Sequence, residues 1–558
     1  MDSIDSIWKY KWLVICTAAL PAGTYSAEVV INYEVGSVAN ELVIPFSYIV
    51  DPVSLVAPVN VDFSINLNST ASETQQVIEI SSNTTQNLSW HASSGADWLK
   101  VYPDTGDTET QNQLTLSLDL NALRTMENGT YISTVTLSSD QPNVLDSSIS
   151  VQLFFEVASI NYVSPYVLYE NLAHQVTLKG SNLLQAAGLT MEVGSATISN
   201  FTVVDDSEIT IDIPELPAGE YRFQLVDNLG IAPATGRLLI RTAPQYHETV
   251  TSLQGRPESI EYDPERDAFY VVLSDRTGRF AQRIGYDGAQ WVATNLNVEN
   301  PLAVGLSADG SELLLTTSNC EVAHLDSDTL DVISLNTYQG SCYIMRFGIL
   351  NSFDDGQILI ANNNQWSDMW EYPGFARFPA PSVHNPISIR SRYRNAMLWA
   401  EGPLSGTSRP LYIYSSKADT FTQFSIHDSD SSYLPYNLAI NDDGSRLLHK
   451  FDVYDENQSY IGSLSGQTYD IRDGIGITPD GSRAIRFSYD TKKLSVFDLS
   501  MNTGPFLQLG NDIVLADDTF DRVIKIESSP DGSVVFVFGQ NIGAQSVAEY
   551  KLSVTPLP

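Results

Sequence analysis

At 558 residues the chain is too long for one hydrophobic core and is expected to fold as several domains. Hydrophobic residues make up 43% and charged residues 17%, which is a packed globular composition and excludes a disordered one. With 67 acidic against 30 basic residues the formal charge is −37, a field that repels nucleic acid and anionic lipid and leaves cations or polar neutral molecules as partners.

The chain opens on "MDSIDSIWKYKWLVICTAALPAG", where Lys9 and Lys11 precede an apolar run at residues 12–20. Asp2 and Asp5, and the lack of a small-x-small cleavage site, argue against a secretory signal. Ile15 spoils a lipoprotein box at Cys16, and the run is too short to span a membrane. We read it as a strand of a module whose front half is missing. Cys320 and Cys342 are the other two cysteines, and without a CxxC or Cys/His cluster no structural zinc site is expected. They either bridge neighbouring β segments or stand as two buried thiols. N-glycosylation triplets occur at Asn68, Asn83, Asn87, Asn128, Asn200 and Asn457.

Runs of four to eight β-formers, separated by Gly, Pro, Asn and Asp, continue to the C-terminus without sustained helical periodicity. The expected class is therefore all-β: Ig-like β-sandwich modules followed by a seven-bladed β-propeller. An internal echo marks the first modules, with "LPAGTYSAEVVI" (20–31) matching "MENGTYISTVTL" (126–137) at an offset of 106 residues, the size of a sandwich. In each copy the strand after the glycine is expected to pair with a later one, at 42–50 or 150–157. Residues 1–51 form the truncated copy and 52–157 the complete one. In the complete copy "ADWLKVYPDTG" (96–106) supplies Trp98 and Leu99 to the core. With Val101, Pro103 and Gly106, then Gly129 and Tyr131, this copy resembles the BACON family of bacterial Ig-like modules. That resemblance implies a spacer in a carbohydrate-active or surface protein.

Residues 158–242 carry Ser164-Pro165, Gly180-Ser181-Asn182-Leu183, Gly194, "DDSEITIDIP" and Pro217-Ala218-Gly219-Glu220-Tyr221. In this order they resemble an IPT/TIG module, an Ig-like domain. The glycines are expected to supply positive-φ turns and Tyr221 to fill one end of the sandwich.

From residue 243 to the C-terminus one hairpin recurs: "SADGSELLLTT", "NDDGSRLLHKF", "TPDGSRAIRFS" and "SPDGSVVFVFG". Its turn aspartates, Asp309, Asp355, Asp443, Asp480 and Asp531, are spaced by 46, 88, 37 and 51 residues. The step of 88 hides an unmarked copy near "SRYRNAMLWA" (391–400), and Asp263 lies one step before Asp309, giving seven units of propeller-blade length, or six or eight if residues 365–425 hide none or two. In each turn Asp caps, Gly takes positive φ and Ser hydrogen-bonds back. The last unit offers only three strands, so residues 247–253 are expected to close the ring as its fourth. The pattern resembles the superfamily of bacterial surface-layer and quinoprotein-like propellers, without the tryptophan motifs of quinone-dependent dehydrogenases.

Propellers bind ligands where the inner strands begin. Those positions hold Arg256, Asn300, Asn385, Tyr436, Arg472, Asp473 and Arg522, a polar and partly cationic set suited to a carboxylate or sugar acid. Trp366 and Trp370, in "NNNQWSDMWEYPGF", add aromatic surface for a sugar or protein, or else pack against a neighbouring blade. Glu258, Asn300, Asn385 and Asp473 imitate the metal set of lactonase-type propellers, with calcium as the cation such oxygens would take. "HDSDSSY" (427–433) is a weaker imitation of a calcium loop. No HExxH, GxSxG, phosphate loop or dinucleotide fingerprint occurs. The expected function is extracytoplasmic display of a propeller, on the cell surface, in the periplasm or secreted, for binding protein or carbohydrate. The alternatives are a metal-dependent lactone or sugar-acid enzyme and a structural surface-array subunit.

Overall fold

The computed structural model describes residues 22–35, 37–170, 174–340, 347–363, 366–401, 411–424, 437–465, 470, 472–515, 519–542 and 548–557. The N-terminal run at 12–20, Cys16, Cys342, Tyr436 and the 427–433 loop lie outside these residues. Among the described residues the only helical pieces are single turns at Ala71–Thr74, Leu120–Leu123 and Leu183–Ala186; the rest of the regular structure is β. Contacts divide the chain into two compact units, Met1–Ala158 with Val226–Pro233, and Ser159–Leu225 with Ala234–Pro558.

In the first unit the two echoed segments both form antiparallel hairpins. Gly23–Val35 pairs with Val38–Val50, and Gly129–Ser138 pairs with Ser147–Phe155, each glycine lying opposite the last residue of its partner strand. The second hairpin belongs to a five-stranded sheet, flanked by Asn60–Ile65 on one side and Ser89–Ser94 on the other. Alternation along Gly129–Ser138 buries Val135 and Leu137, while the first hairpin leaves Val30, Phe46 and Ile49 exposed. Trp98 and Leu99 are buried as expected. The fully buried Trp90 explains the end of the WLxVxPxxG stretch, because a β-carbon on Gly106 would lie 2.5 Å from Trp90 Cε2. The GxY pattern also has a shared cause. Tyr131 Oη donates to Glu127 O and Tyr221 Oη to Pro217 O, both at 2.8 Å, which ties each strand to the chain four residues upstream.

The second unit begins with two sheets from residues 159–241. One orders Ser159–Ser164, His174–Ser181, Glu208–Ile213 and Phe201–Asp205; the other is five-stranded around Ala234–Arg241 and Gly219–Val226. Gly236, at φ +68, lets them approach, its α-carbon facing Ile160 and Val163. Of the glycines expected to take positive φ, Gly194 does so at +60. Gly180 is required for a different reason: a side chain there would strike the Ser159 carbonyl.

Seven four-stranded antiparallel sheets follow. The first six each run in chain order, from Arg256–Asp263 to Trp291–Asn295, Pro301–Leu306 to Val332–Thr337, Ile349–Ser352 to Ala376–Phe378, Pro386–Arg390 to Thr420–Phe424, Leu438–Ile440 to Tyr460–Ser463, and Gly474–Ile477 to Ile513–Val514. The seventh joins Arg522–Ser528, Val534–Ile542 and Ala548–Pro556 to Thr249–Leu253, which pairs antiparallel with Ala548–Pro556. Apolar clusters link each sheet to the next. Phe347 and Trp370 meet Leu314 of the second sheet, and Trp399 and Tyr414 of the fourth meet Phe353 of the third. The series returns to its start, with Phe269 and Trp291 of the first sheet packed against Phe536 and Phe538 of the seventh. Burying one such ring is worth roughly 1.5–3 kcal/mol, so each sheet gains by packing on its neighbours.

The repeated turns have the chemistry expected of them. Gly310, Gly356, Gly444, Gly481 and Gly532 all take positive φ, between +68 and +87. The aspartates accept backbone N–H groups two residues on, as Asp443 does from Ser445 at 2.8 Å and Asp480 from Ser482 at 3.0 Å. The unmarked fourth hairpin keeps the geometry without glycine, because Arg394 takes φ +64 and its guanidinium is held elsewhere.

Candidate functional site

The first strands of the seven sheets give the array two ends, one where these strands start and one at the turns that follow them. The starting end holds the residues picked from sequence. Arg256 is the first residue of its strand and exposed, 4.0 Å from Glu258. Glu258 accepts from Ser274 Oγ at 2.6 Å. Asn300 and Asn385 are exposed, take φ +46 and +47, and each precedes a proline that begins a strand. The Asn300 carbonyl accepts from Ser318 N. Arg522 begins the seventh sheet's first strand and is exposed.

Arg472 and Asp473 adjoin in sequence but have different surroundings. Arg472 is bidentate to Asp470, at 2.8 and 2.6 Å, and lies 3.3 Å over the Tyr489 ring. Asp473 is buried, with one oxygen accepting from Arg486 Nη2 at 2.6 Å and the other from Tyr489 N at 2.8 Å. Two of the four calcium candidates, Glu258 and Asp473, are therefore engaged by protein donors. Among the described residues no group of three or more His, Cys, Asp or Glu side chains could hold a metal ion.

The two tryptophans of the aromatic stretch part company. Trp370 lies within Met369–Tyr372, a third strand that turns Trp370 and Tyr372 against the second sheet, and is 4% exposed. Trp366 is 61% exposed, forms a β-bridge to His384 and meets that ring edge-on at 5.8 Å. His384 precedes Asn385, so Trp366 lies at the starting end.

The opposite end carries features that sequence reasoning missed. Arg390, Arg392 and Arg394, from the RSRYR of the fourth sheet, reach across the array. Arg390 donates to Glu261 at 2.5 Å and to Ser352 O at 2.8 Å, tying the first and third sheets. Arg392 donates to Ser528 O at 2.6 Å and lies 3.4 Å from Asp442, in the seventh and fifth. Arg394 donates to Ser307 O of the second. The centre of this end is thus filled by an ion network.

Residues 159–225 and 234–241 cover the same end. Tyr162 packs over Gly356 and Tyr166 over Gly310, two of the repeated turn glycines. Ser164 Oγ donates to Tyr393 O at 2.8 Å, Arg237 pairs with Glu265 at 2.6 Å and Arg241 with Asp267 at 2.7 Å. Lys179 stands 2.8 Å from Glu208 and 3.9 Å from Asp354, and Lys417 stands 2.9 Å from Glu208. Burial pushes the Asp354 and Asp442 carboxyls up to about 6, against the pull of Lys179 and Arg392 respectively.

Residues 50–150 match the family model described as the viral BACON domain, which supports a BACON-like module there. No curated protein matches the chain. Among solved structures, one titled "Crystal Structure of Mitotic Checkpoint Complex" contains a similar chain. It is 13% identical, with 56% of this chain and 96% of that one covered at a TM-score of 0.38, a likeness that says nothing about function.

Proposed function

We propose that this is an extracytoplasmic binding protein whose seven sheets form a seven-bladed propeller closed by Thr249–Leu253. BACON-type and IPT/TIG-like modules would carry it. The observation that supports binding is the contrast between the two ends. The turn end is covered by residues 159–225 and 234–241 and carries the arginine network, while the starting end keeps Trp366 61% exposed beside Asn385, with Asn300 also exposed. A solvated tryptophan among side-chain amides suits a carbohydrate, whose C–H face stacks on the ring while its hydroxyls meet the amides. No helix among the described residues is long and apolar enough to cross a membrane. Cys320 is disulfide-bonded, which fits an oxidising compartment, as does the BACON-type module.

The test is a glycan array probed with the intact chain and with Trp366→Ala. The expected result is a hit that the variant loses at unchanged melting temperature. A hit that survives Trp366→Ala, or binding confined to fragments lacking the seven sheets, would overturn the reading.

A further inference from the structure

Where residues 163–169 meet the turn end lies a cavity of about 60 Å³, lined among others by Tyr166, Tyr169, Arg392, Arg394, Asp354 and Asp442. Among the side chains on its wall, Tyr166 Oη, Tyr169 Oη and Arg394 Nε have no hydrogen-bond partner, and Arg392 Nη1 has only the Asp442 carboxylate, at 3.4 Å. Tyr166, Tyr169 and Arg394 are 7%, 6% and 4% exposed, so bulk water does not serve them. The carboxylates on the wall are already engaged, Asp354 by Ser416 Oγ at 2.6 Å and Asp442 by Arg392 at 3.4 Å. A buried donor left unpaired costs about 1–3 kcal/mol, and three on the wall of one cavity call for a shared acceptor.

We propose that this cavity binds a small monovalent inorganic anion, chloride where it is abundant, held by the two guanidinium groups and the two phenol hydroxyls. The space exceeds what a single water needs. Water would bring hydrogens of its own to a site already rich in donors, whereas a halide brings only lone pairs. The ion would join residues 163–169 to the fourth sheet and act as a structural clamp, independent of what binds at the starting end.

Crystals of the intact chain soaked in sodium bromide should show an anomalous peak within hydrogen-bond reach of Tyr166 Oη and Arg392 Nη1. Melting temperature should rise saturably with chloride or bromide and stay flat in sodium gluconate of equal ionic strength. Tyr166→Phe with Tyr169→Phe should weaken the halide response at least tenfold, and Asp442→Asn should strengthen it by removing a competing charge. Density for water alone with no bromide peak, or equal responses to halide and gluconate, would overturn the proposal. If the double phenylalanine variant does not fold, the bromide peak in the native crystal decides the matter by its presence or absence.

Discussion

Tyr166 occupies the space that a side chain on Gly310 would need. A β-carbon built at Gly310 falls 2.6 Å from Tyr166 Cε2, and Gly356 has the same relation, at the same distance, to Tyr162. The repeated turns need glycine for their positive φ, and at these two a neighbouring phenol needs it as well. Gly310→Ala should lose about 1–2 kcal/mol to left-handed strain and more to the overlap. Gly288, at φ +95 with nothing within 4 Å, provides the strain-only control. The overlap predicts that Gly310→Ala with Tyr166→Ala falls short of the summed single losses in a denaturant-melt cycle. Additive losses would refute it.

The arginine network predicts a strong asymmetry among ion pairs. Glu261 lies 2.5 Å from Arg390 and 3.6 Å from Arg394, all with little solvent exposure. Glu261→Gln leaves two buried guanidinium groups short of a counter-charge and should cost about 3–5 kcal/mol. Asp368→Asn, which breaks the exposed pair with Arg377, should cost less than about 1 kcal/mol. Urea midpoints for the two variants test the ordering.

Much of the array is legible in sequence because its signals are local. An aspartate, a positive-φ glycine and a β run lie within a few residues of one another, and their spacing sets the number of sheets. The arginine network is invisible at that range. RSRYR reads as an unmarked turn until the strands carrying Glu261, Asp442 and Ser528 come together around it. Tyr166 and Tyr169 likewise gain meaning only from turns more than a hundred residues away. Asp473 misleads for the opposite reason. Its place at a strand start suggests a ligand, yet Arg486 lies on the paired strand, where Gly474 faces Phe487, and claims it. Trp366 and Trp370 look equivalent until strand pairing begins at Met369 and turns the second ring inward.

Stability should rise, not fall, as the pH drops from 7.5 towards 5. Burial raises the Asp354 and Asp442 carboxyls to about 6, above their ordinary value near 3.8, so the folded chain takes up protons before the unfolded one does. The penalty for keeping both ionised is full above pH 6, shrinks as the pH falls through 6, and is gone near 4. Melting curves should show this slope, and Asp442→Asn should flatten it. A native slope of opposite sign across that window would contradict the burial of these groups.

The second and third sheets are also joined by a polar chain. Glu312 Oε2 hydrogen-bonds His324 Nδ1, His324 Nε2 hydrogen-bonds Tyr372 Oη, and Asn336 Nδ2 donates to the same hydroxyl. With Glu312 ionised, Nδ1 carries the proton and Nε2 is left to accept from the phenol, which fixes the tautomer. Tyr372→Phe keeps the ring packed against Phe375, at 5.4 Å, but removes the hydroxyl, stranding the largely buried histidine nitrogen while the exposed Asn336 amide turns to water. The expected loss is about 1–3 kcal/mol by urea denaturation, with the His324 ring nitrogens shifted in nitrogen NMR spectra. Asn336→Ala, which leaves the histidine bond intact, should cost less and leave those resonances in place. If the two variants perturb His324 equally, the hydroxyl is not the link between the sheets.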